Sequence, residues 1–165
     1  LFMGGELGQR EEWNANGEVA WPLLQAGPYH RGVQRFVQDL NHLYQAHPGL
    51  WEADYDHEGF RWIDCSDAEK SVFSFIRQRN DGTDRTVVIL NLTPVIRYGY
   101  RLGLPQGGWW REVLNSDAGI YGGSGVGNLG GVNAQPVASH GQAHSAPFTL
   151  PPLSIIVFQP QPAGA

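Results

Sequence analysis

Ser71-Val72-Phe73-Ser74-Phe75-Ile76-Arg77-Gln78, followed by the polar stretch Arg79-Asn80-Asp81-Gly82-Thr83-Asp84 and then by Arg85-Thr86-Val87-Val88-Ile89-Leu90-Asn91-Leu92, decides the fold. Both outer runs are rich in β-branched and aromatic residues, and Asp81-Gly82 between them marks a hairpin turn. Similar runs lie on either side: Phe60 to Cys65, Tyr98 to Leu104, Trp110 to Asn115 and Leu153 to Phe158, separated by Gly, Pro, Asn and Asp. After about residue 55 no second helical period competes with them. Six or more antiparallel strands of this length predict a β-sandwich, so the fold class is mainly β. Residues 119–145 are rich in glycine and nearly devoid of large apolar groups, which predicts a long surface excursion or an irregular hairpin.

Toward the N-terminal side the pattern differs. Val33, Phe36, Val37, Leu40, Leu43 and Tyr44 fall on one helical face, while Gln34, Arg35, Gln38, Asp39, Asn41 and His42 fill the other. This spacing predicts an amphipathic helix over residues 29–46, stopped by His47-Pro48-Gly49. Glu11 to Pro28 reads as a long ordered loop, punctuated by Asn14, Asn16, Gly17, Pro22 and Gly27. Leu1-Phe2-Met3 before Gly4-Gly5 fits the last strand of an element whose other strands are absent, and a chain opening in this way reads as a cut fragment. The expected division is residues 1–54, then an all-β domain over residues 55–165.

A chain of 165 residues with a hydrophobic fraction of 41% and a charged fraction of 16% has the balance of a folded protein and can bury a core without staples. The net charge of −5 comes with no Lys/Arg stripe, so neither nucleic acid nor a membrane is an expected partner. No apolar run reaches the length of a membrane span, and Leu1 to Met3 is too short for a signal peptide. The single cysteine, Cys65, excludes an internal disulfide and reads as a core thiol; it suits a reducing compartment, with the cytoplasm as the expected location.

Most chemical motifs give way to simpler readings. Glycosidic chemistry needs two carboxylates flanking the bond, and none of the acidic residues here has a recognisable catalytic setting. Glu6 alone, after a strand end and two glycines, sits where a barrel enzyme presents side chains to substrate. Gly125-Val126-Gly127-Asn128-Leu129-Gly130 has dinucleotide-binding spacing but neither follows a strand nor opens a helix. His140 and His144 would align on a helix that Gly141 and its neighbours disfavour, so no metal is expected. Asn91-Leu92-Thr93 has the form of a glycosylation acceptor but reads as a strand ending in a turn before Pro94.

The aromatic residues are more informative. Six tryptophans, Trp13, Trp21, Trp51, Trp62, Trp109 and Trp110, mostly sit beside polar or Gly/Pro sequence. A flat ring on a polar surface packs against the C–H face of a sugar while neighbouring polar groups meet its hydroxyls. In an extended strand Phe60 and Trp62 share a face, which leaves both core and sugar platform open for Trp62, and Trp109 and Trp110 point to opposite faces. Trp21, in the loop before Pro22, reads as exposed.

Phe2-Met3-Gly4-Gly5-Glu6, Gln9-Arg10-Glu11-Glu12-Trp13-Asn14, Gly32-Val33-Gln34-Arg35 and Arg111-Glu112-Val113-Leu114-Asn115-Ser116-Asp117 together resemble the bacterial 1,4-α-glucan (glycogen) branching enzymes of the α-amylase clan. Tyr121-Gly122-Gly123-Ser124, Gly127-Asn128, Ser139-His140-Gly141 and Leu150-Pro151-Pro152-Leu153 extend the match almost to the terminus. The resemblance implies a parent enzyme that breaks an α-1,4 link and transfers the glucan to a 6-hydroxyl in a (β/α)₈ barrel. It implies that residues 1–54 are the end of that barrel (last strand, loop and helix) and residues 55–165 its C-terminal β-domain. In the family all three catalytic acids precede the Phe-Met-Gly-Gly-Glu run, so no residue here inherits a catalytic role and the chain alone is expected to be inactive. By the same carry-over Glu6, Arg10, Trp13 and Asn14 stand near the substrate rim of the barrel, while Trp21 and Trp62 match glucan-contacting aromatics elsewhere. The sequence departs from the family in its paired Glu11-Glu12 and in lacking an acidic residue before Trp21. The implied partners are an α-glucan (glycogen, amylose) and the remainder of the branching-enzyme chain; no cofactor is implied. A stand-alone carbohydrate-binding β-module and a purely structural brace for the barrel are the alternatives.

Overall fold

The computed structural model describes residues 3–161. Within them the chain forms α1 (Pro28–Ala46), β1 (Phe60–Asp67), β2 (Val72–Arg77), β3 (Thr86–Asn91), β4 (Arg97–Leu104), β5 (Gly108–Asn115), β6 (Gly131–Ala134), β7 (His144–Leu150) and β8 (Ser154–Pro160). One sheet has the order β1-β2-β3-β8-β5-β6, a second pairs β4 with β7, and every pairing is antiparallel. The inner faces of the two sheets meet in one buried cluster that includes Ile76, Val87 and Phe158 from the larger sheet and Leu102, Ala146 and Phe148 from the smaller. Phe148 and Phe158 join the layers edge to face, their centroids 4.9 Å apart.

Period-two patterning sets the orientation of each strand. Along β2, Val72, Ser74 and Ile76 are buried and Phe73, Phe75 and Arg77 are half-buried on the outer face. Ile76 stands opposite Val87, which in turn stands opposite Phe158, so the register carries apolar side chains across the sheet. The β2–β3 connection turns at Gly82, whose φ of 74° favours glycine and whose N–H donates to the Arg79 carbonyl.

Of the two forms expected for residues 119–145 the chain takes the irregular hairpin: β6 pairs with β5, placing Val132 opposite Trp110, and antiparallel bridges Gln135–Ser145 and Ser139–Gln142 lead into β7 at His144. The ordered loop Glu11 to Pro28 includes a 3-10 turn, Trp21–Gln25. One expectation is corrected. Cys65 is exposed rather than buried. The reason is a pair of register shifts in β1, between Trp62 and Asp64 and again between Asp64 and Asp67. Each bulge inserts a residue and breaks the alternation that would have turned Cys65 inward. The strand expected over Leu1 to Met3 falls mainly on Leu1 and Phe2, outside the described residues, and Met3-Gly4 form a turn.

The helix α1 is the one α-helix among the described residues, and it docks through its ends and middle. At its C-terminal end the Gly49 N–H donates to Asp84 Oδ2 at 2.7 Å and His47 Nδ1 meets Asp84 Oδ1 at 2.9 Å, tying the helix stop to the β2–β3 hairpin. In the middle, Phe36 packs edge to face on Tyr121, in the 3-10 turn Gly119–Tyr121. The Tyr121 hydroxyl donates to Asp39 Oδ2 at 2.7 Å. Partial burial and the Asp39 carboxylate together push the Tyr121 hydroxyl up to about 12.

Candidate functional site

The carry-over residues fall in four separate places. Trp13 and Asn14 line a hollow of about 260 Å³ with Met3, Gln9 and Glu18, on the turn before Gly17. Asn14 shapes that turn, accepting from the Asn16 N–H at its side chain and from the Gly17 N–H at its carbonyl. Arg10 is exposed beside it. Glu6 instead faces a shallow hollow against α1, with Gln34, Gln38 and His42. Its Oε2 is buried and has no hydrogen-bond partner. Trp21 opens the 3-10 turn Trp21–Gln25 and is 55% exposed.

Trp62 lies on the outer face of β1, outside the buried core, and is 52% exposed. Its edge meets Phe60, with centroids 5.0 Å apart, and Phe75 directly opposite on β2, at 5.9 Å. Cross-strand aromatic packing of this kind holds the indole in place while half of it stays open to solvent. A rigid, half-exposed indole can receive the apolar face of a ring-shaped polar ligand.

From Phe75 the outer face continues through Val88 and Val157. These residues and Ile155 form one wall of a cleft of about 520 Å³, and Leu40, Leu43 and Tyr44 of α1 form the other. The helix therefore stands off the outer sheet face along its C-terminal half. On α1, Val33, Leu40 and Tyr44 are more than a third exposed. The sequence pattern foretold the apolar stripe but not the cleft, because Phe75, Val88 and Val157 are far apart in the chain.

The remaining motifs sit in ordinary structural settings. Asn91 is buried, and its side-chain nitrogen donates to the carbonyls of Val95 and Pro151, leaving no free amide for a glycan. The segment Gly125 to Gly130 leads into β6 rather than a helix. Asn128 anchors it by donating to Glu112 and to the Thr149 carbonyl, so it is a side-chain-pinned loop without a helix N-terminus for a phosphate. Among the described residues no group of three or more His, Cys, Asp or Glu could hold a metal ion, and no helix is long and apolar enough to cross a membrane.

The model of the alpha amylase C-terminal all-beta domain matches residues 62–161. Over 161 residues the chain is 53% identical to the 1,4-alpha-glucan branching enzyme GlgB 1 of Xanthomonas campestris pv. campestris (strain 8004), covering 98% of this chain and 22% of that protein. It is 52% identical to the 1,4-alpha-glucan branching enzyme GlgB of Aromatoleum aromaticum, covering 98% of this chain and 25% of the relative. The GlgB of Aquifex aeolicus is 51% identical over 94% of this chain and 25% of its own length. The chain thus spans about a quarter of the length of the curated relatives it matches. Among solved structures, the alpha-amylase from H.orenii superposes with a TM-score of 0.55 at 16% identity, covering 96% of this chain and 31% of that one. That likeness concerns the fold.

Proposed function

Given that this chain belongs to the alpha amylase C-terminal all-beta domain family, we propose that it works as part of a 1,4-α-glucan branching enzyme, bracing the catalytic barrel and docking glucan while carboxylates outside these 165 residues perform the transfer. The observation that carries the reading is the extent of the match. The family model begins at residue 62, yet the identity of 53% to a branching enzyme runs over 161 residues, α1 and its flanking loops included. A free-standing sugar-binding module has no reason to retain that helical segment.

On this reading residues 1–54 belong to the end of the barrel and residues 55–165 to the β-domain. The half-exposed stripe of Val33, Leu40 and Tyr44 and the apolar cleft beside it would pack on the remainder of the enzyme. Glu6, Arg10, Trp13 and Asn14 would border the substrate rim. Trp62, braced by Phe60 and Phe75, and Trp21 would hold glycogen or amylose away from the reaction centre. Weak sites on one surface raise the effective concentration of a polymer that carries many copies of the same ligand. The cytoplasm, where glycogen is made, is the matching compartment.

Titration of the chain with maltoheptaose and glycogen, followed by tryptophan fluorescence, tests the docking role. Saturable quenching that is weakened about tenfold in Trp62→Ala or Trp21→Ala, roughly 1.4 kcal/mol, is the expected result. No quenching by millimolar sugar in the native chain would leave only the brace, which the apolar cleft favours independently. Production of branches from amylose by this chain alone would overturn the assignment of catalysis to residues outside it.

A further inference from the structure

A second opening in the fold is polar and lies at the edge of the sandwich. There β1 and β4 both lose regular pairing: β1 carries its two register shifts between Trp62 and Asp67, and β4 shifts between Arg97 and Tyr100 around Gly99, whose φ is 65°. Bulges re-aim side chains, and both bulged stretches turn residues into one gap. The result is a cleft of about 480 Å³ lined by Asp64 and Asp67 from β1, Lys70 from the turn, Arg97, Tyr98, Tyr100 and Arg101 from β4, and His140 from the loop before β7.

The walls are ordered by their own hydrogen bonds. Asp67 Oδ2 accepts from the Tyr100 hydroxyl at 2.8 Å and lies 3.3 Å from Lys70 Nζ. Burial works against ionisation of Asp67, but the Tyr100 hydroxyl and Lys70 outweigh it and hold the carboxyl below its ordinary value. The Gly103 N–H donates to His140 Nδ1 at 3.3 Å, Ser139 Oγ lies 2.8 Å from the same nitrogen, and His140 Nε2 is 3.5 Å from Asp64 Oδ2. Arg97 spans the floor by donating to the Lys70 carbonyl at 2.9 Å, and its Nε is buried without a partner. Above these groups the Tyr98 ring is 75% exposed and its hydroxyl has no hydrogen bond among the described residues.

We propose that this cleft is a second sugar-binding subsite, in which Tyr98 is the platform for one glucose unit of an α-glucan and Asp64, Asp67 and Arg101 meet its hydroxyls. Two carboxylates interleaved with three cations offer acceptors and donors without a strong net field, which suits a neutral polyol better than an ion. The volume accommodates one or two sugar rings, within the usual range of small-molecule pockets. The inference rests on glucan being the ligand of this chain, and it adds a contact separate from Trp62 and Trp21.

The test follows the ring protons of His140 by NMR, assigned with His140→Gln, during addition of maltotriose to the native chain and to Tyr98→Ala. Tyr98 is a surface residue, and circular dichroism checks that the variant keeps its fold. Saturable shifts of His140 in the native chain, with at least tenfold weaker binding in Tyr98→Ala and undiminished quenching of Trp62, support the subsite. Quenching of tryptophan with His140 unmoved, or His140 shifts that Tyr98→Ala leaves intact, overturns the subsite while the docking role stands. Absence of both responses overturns the subsite and the docking role together, and a His140 response to inorganic phosphate but not to maltotriose replaces the sugar with an anion.

Discussion

Gly32 of α1 passes so close to the backbone of Tyr121 that a Cβ at position 32 would overlap the Tyr121 carbonyl oxygen. Gly32→Ala in a helix interior ordinarily stabilises by about 1 kcal/mol. Here the sign should reverse, because the added methyl forces α1 off the Gly119–Tyr121 turn and disturbs the Phe36 ring contact and the Asp39 hydrogen bond. A net loss of about 1–3 kcal/mol is expected, the usual cost of overpacking. Thermal unfolding measures it, and an unchanged or raised Tm would mean that α1 is not held at this point.

Alkaline pH should loosen the same contact. The Tyr121 hydroxyl is raised from 10.0 to about 12, so its contribution is complete below about pH 10 and is lost as pH rises through 12. Tyr100 is raised as well, by burial and by Asp67, and adds a loss in the same direction. Denaturant midpoints taken from pH 8 to 12 should fall, and Tyr121→Phe should flatten the decline in part. On the acid side Asp64, held below its ordinary value chiefly by the Ser66 N–H, contributes stability above pH 3.8 that disappears as pH falls further.

Asn128→Ala should cost about 1 kcal/mol, since it strands three hydrogen-bonding groups that are only half-buried. The side chain donates to Glu112 Oε2 at 2.7 Å and to the Thr149 carbonyl at 3.0 Å, and accepts from the Thr149 N–H at 2.8 Å. Amide hydrogen exchange should accelerate selectively between Asp117 and Gly131, ahead of the β2–β3 pair. Uniform acceleration over the whole sheet would mean that the loop is not an independently released unit.

The exposed thiol of Cys65 should react with an aromatic disulfide reagent in the folded chain at nearly its unfolded rate. Cys65→Ser should change stability by less than about 0.5 kcal/mol, as surface substitutions do. Protection of the thiol until unfolding would restore the core position.

The sandwich and its helix were legible because most strands and the helix carry a clear period, the bulged β1 still showing enough of it to be placed though not to orient Cys65. Expected strands at Phe60, Ser71, Arg85, Tyr98, Trp110 and Leu153 correspond to β1 to β5 and β8, and the expected split of Trp109 from Trp110 is met by a fully buried Trp110. The strand β6 was hidden because Gly131-Val132-Asn133-Ala134 has little β-propensity of its own and is held by pairing with β5. Pro147 masked β7; it is tolerated there because β7 has one strand partner, β4, and the bridge to Gln135 on its other side ends at Ser145. Exposure of Trp21 was readable from its setting before Pro22. Neither cleft was readable, since their walls come together only through the tertiary fold and, in the polar one, through bulges that leave no compositional trace.

The position of β8 has a consequence for synthesis. This strand lies between β3 and β5 and pairs with both, yet among the described residues it comes after all the other strands. During translation β1-β2-β3 and β5-β6 can form as two hairpin-like pieces, each with an apolar strand edge exposed, and only arrival of Ser154–Pro160 joins them. Among the described strands this keystone is made after both of its neighbours, so the edge of β3 waits for the sixty or so residues before Ser154, about 3–12 seconds at ordinary elongation rates, and the edge of β5 for about forty, roughly 2–8 seconds.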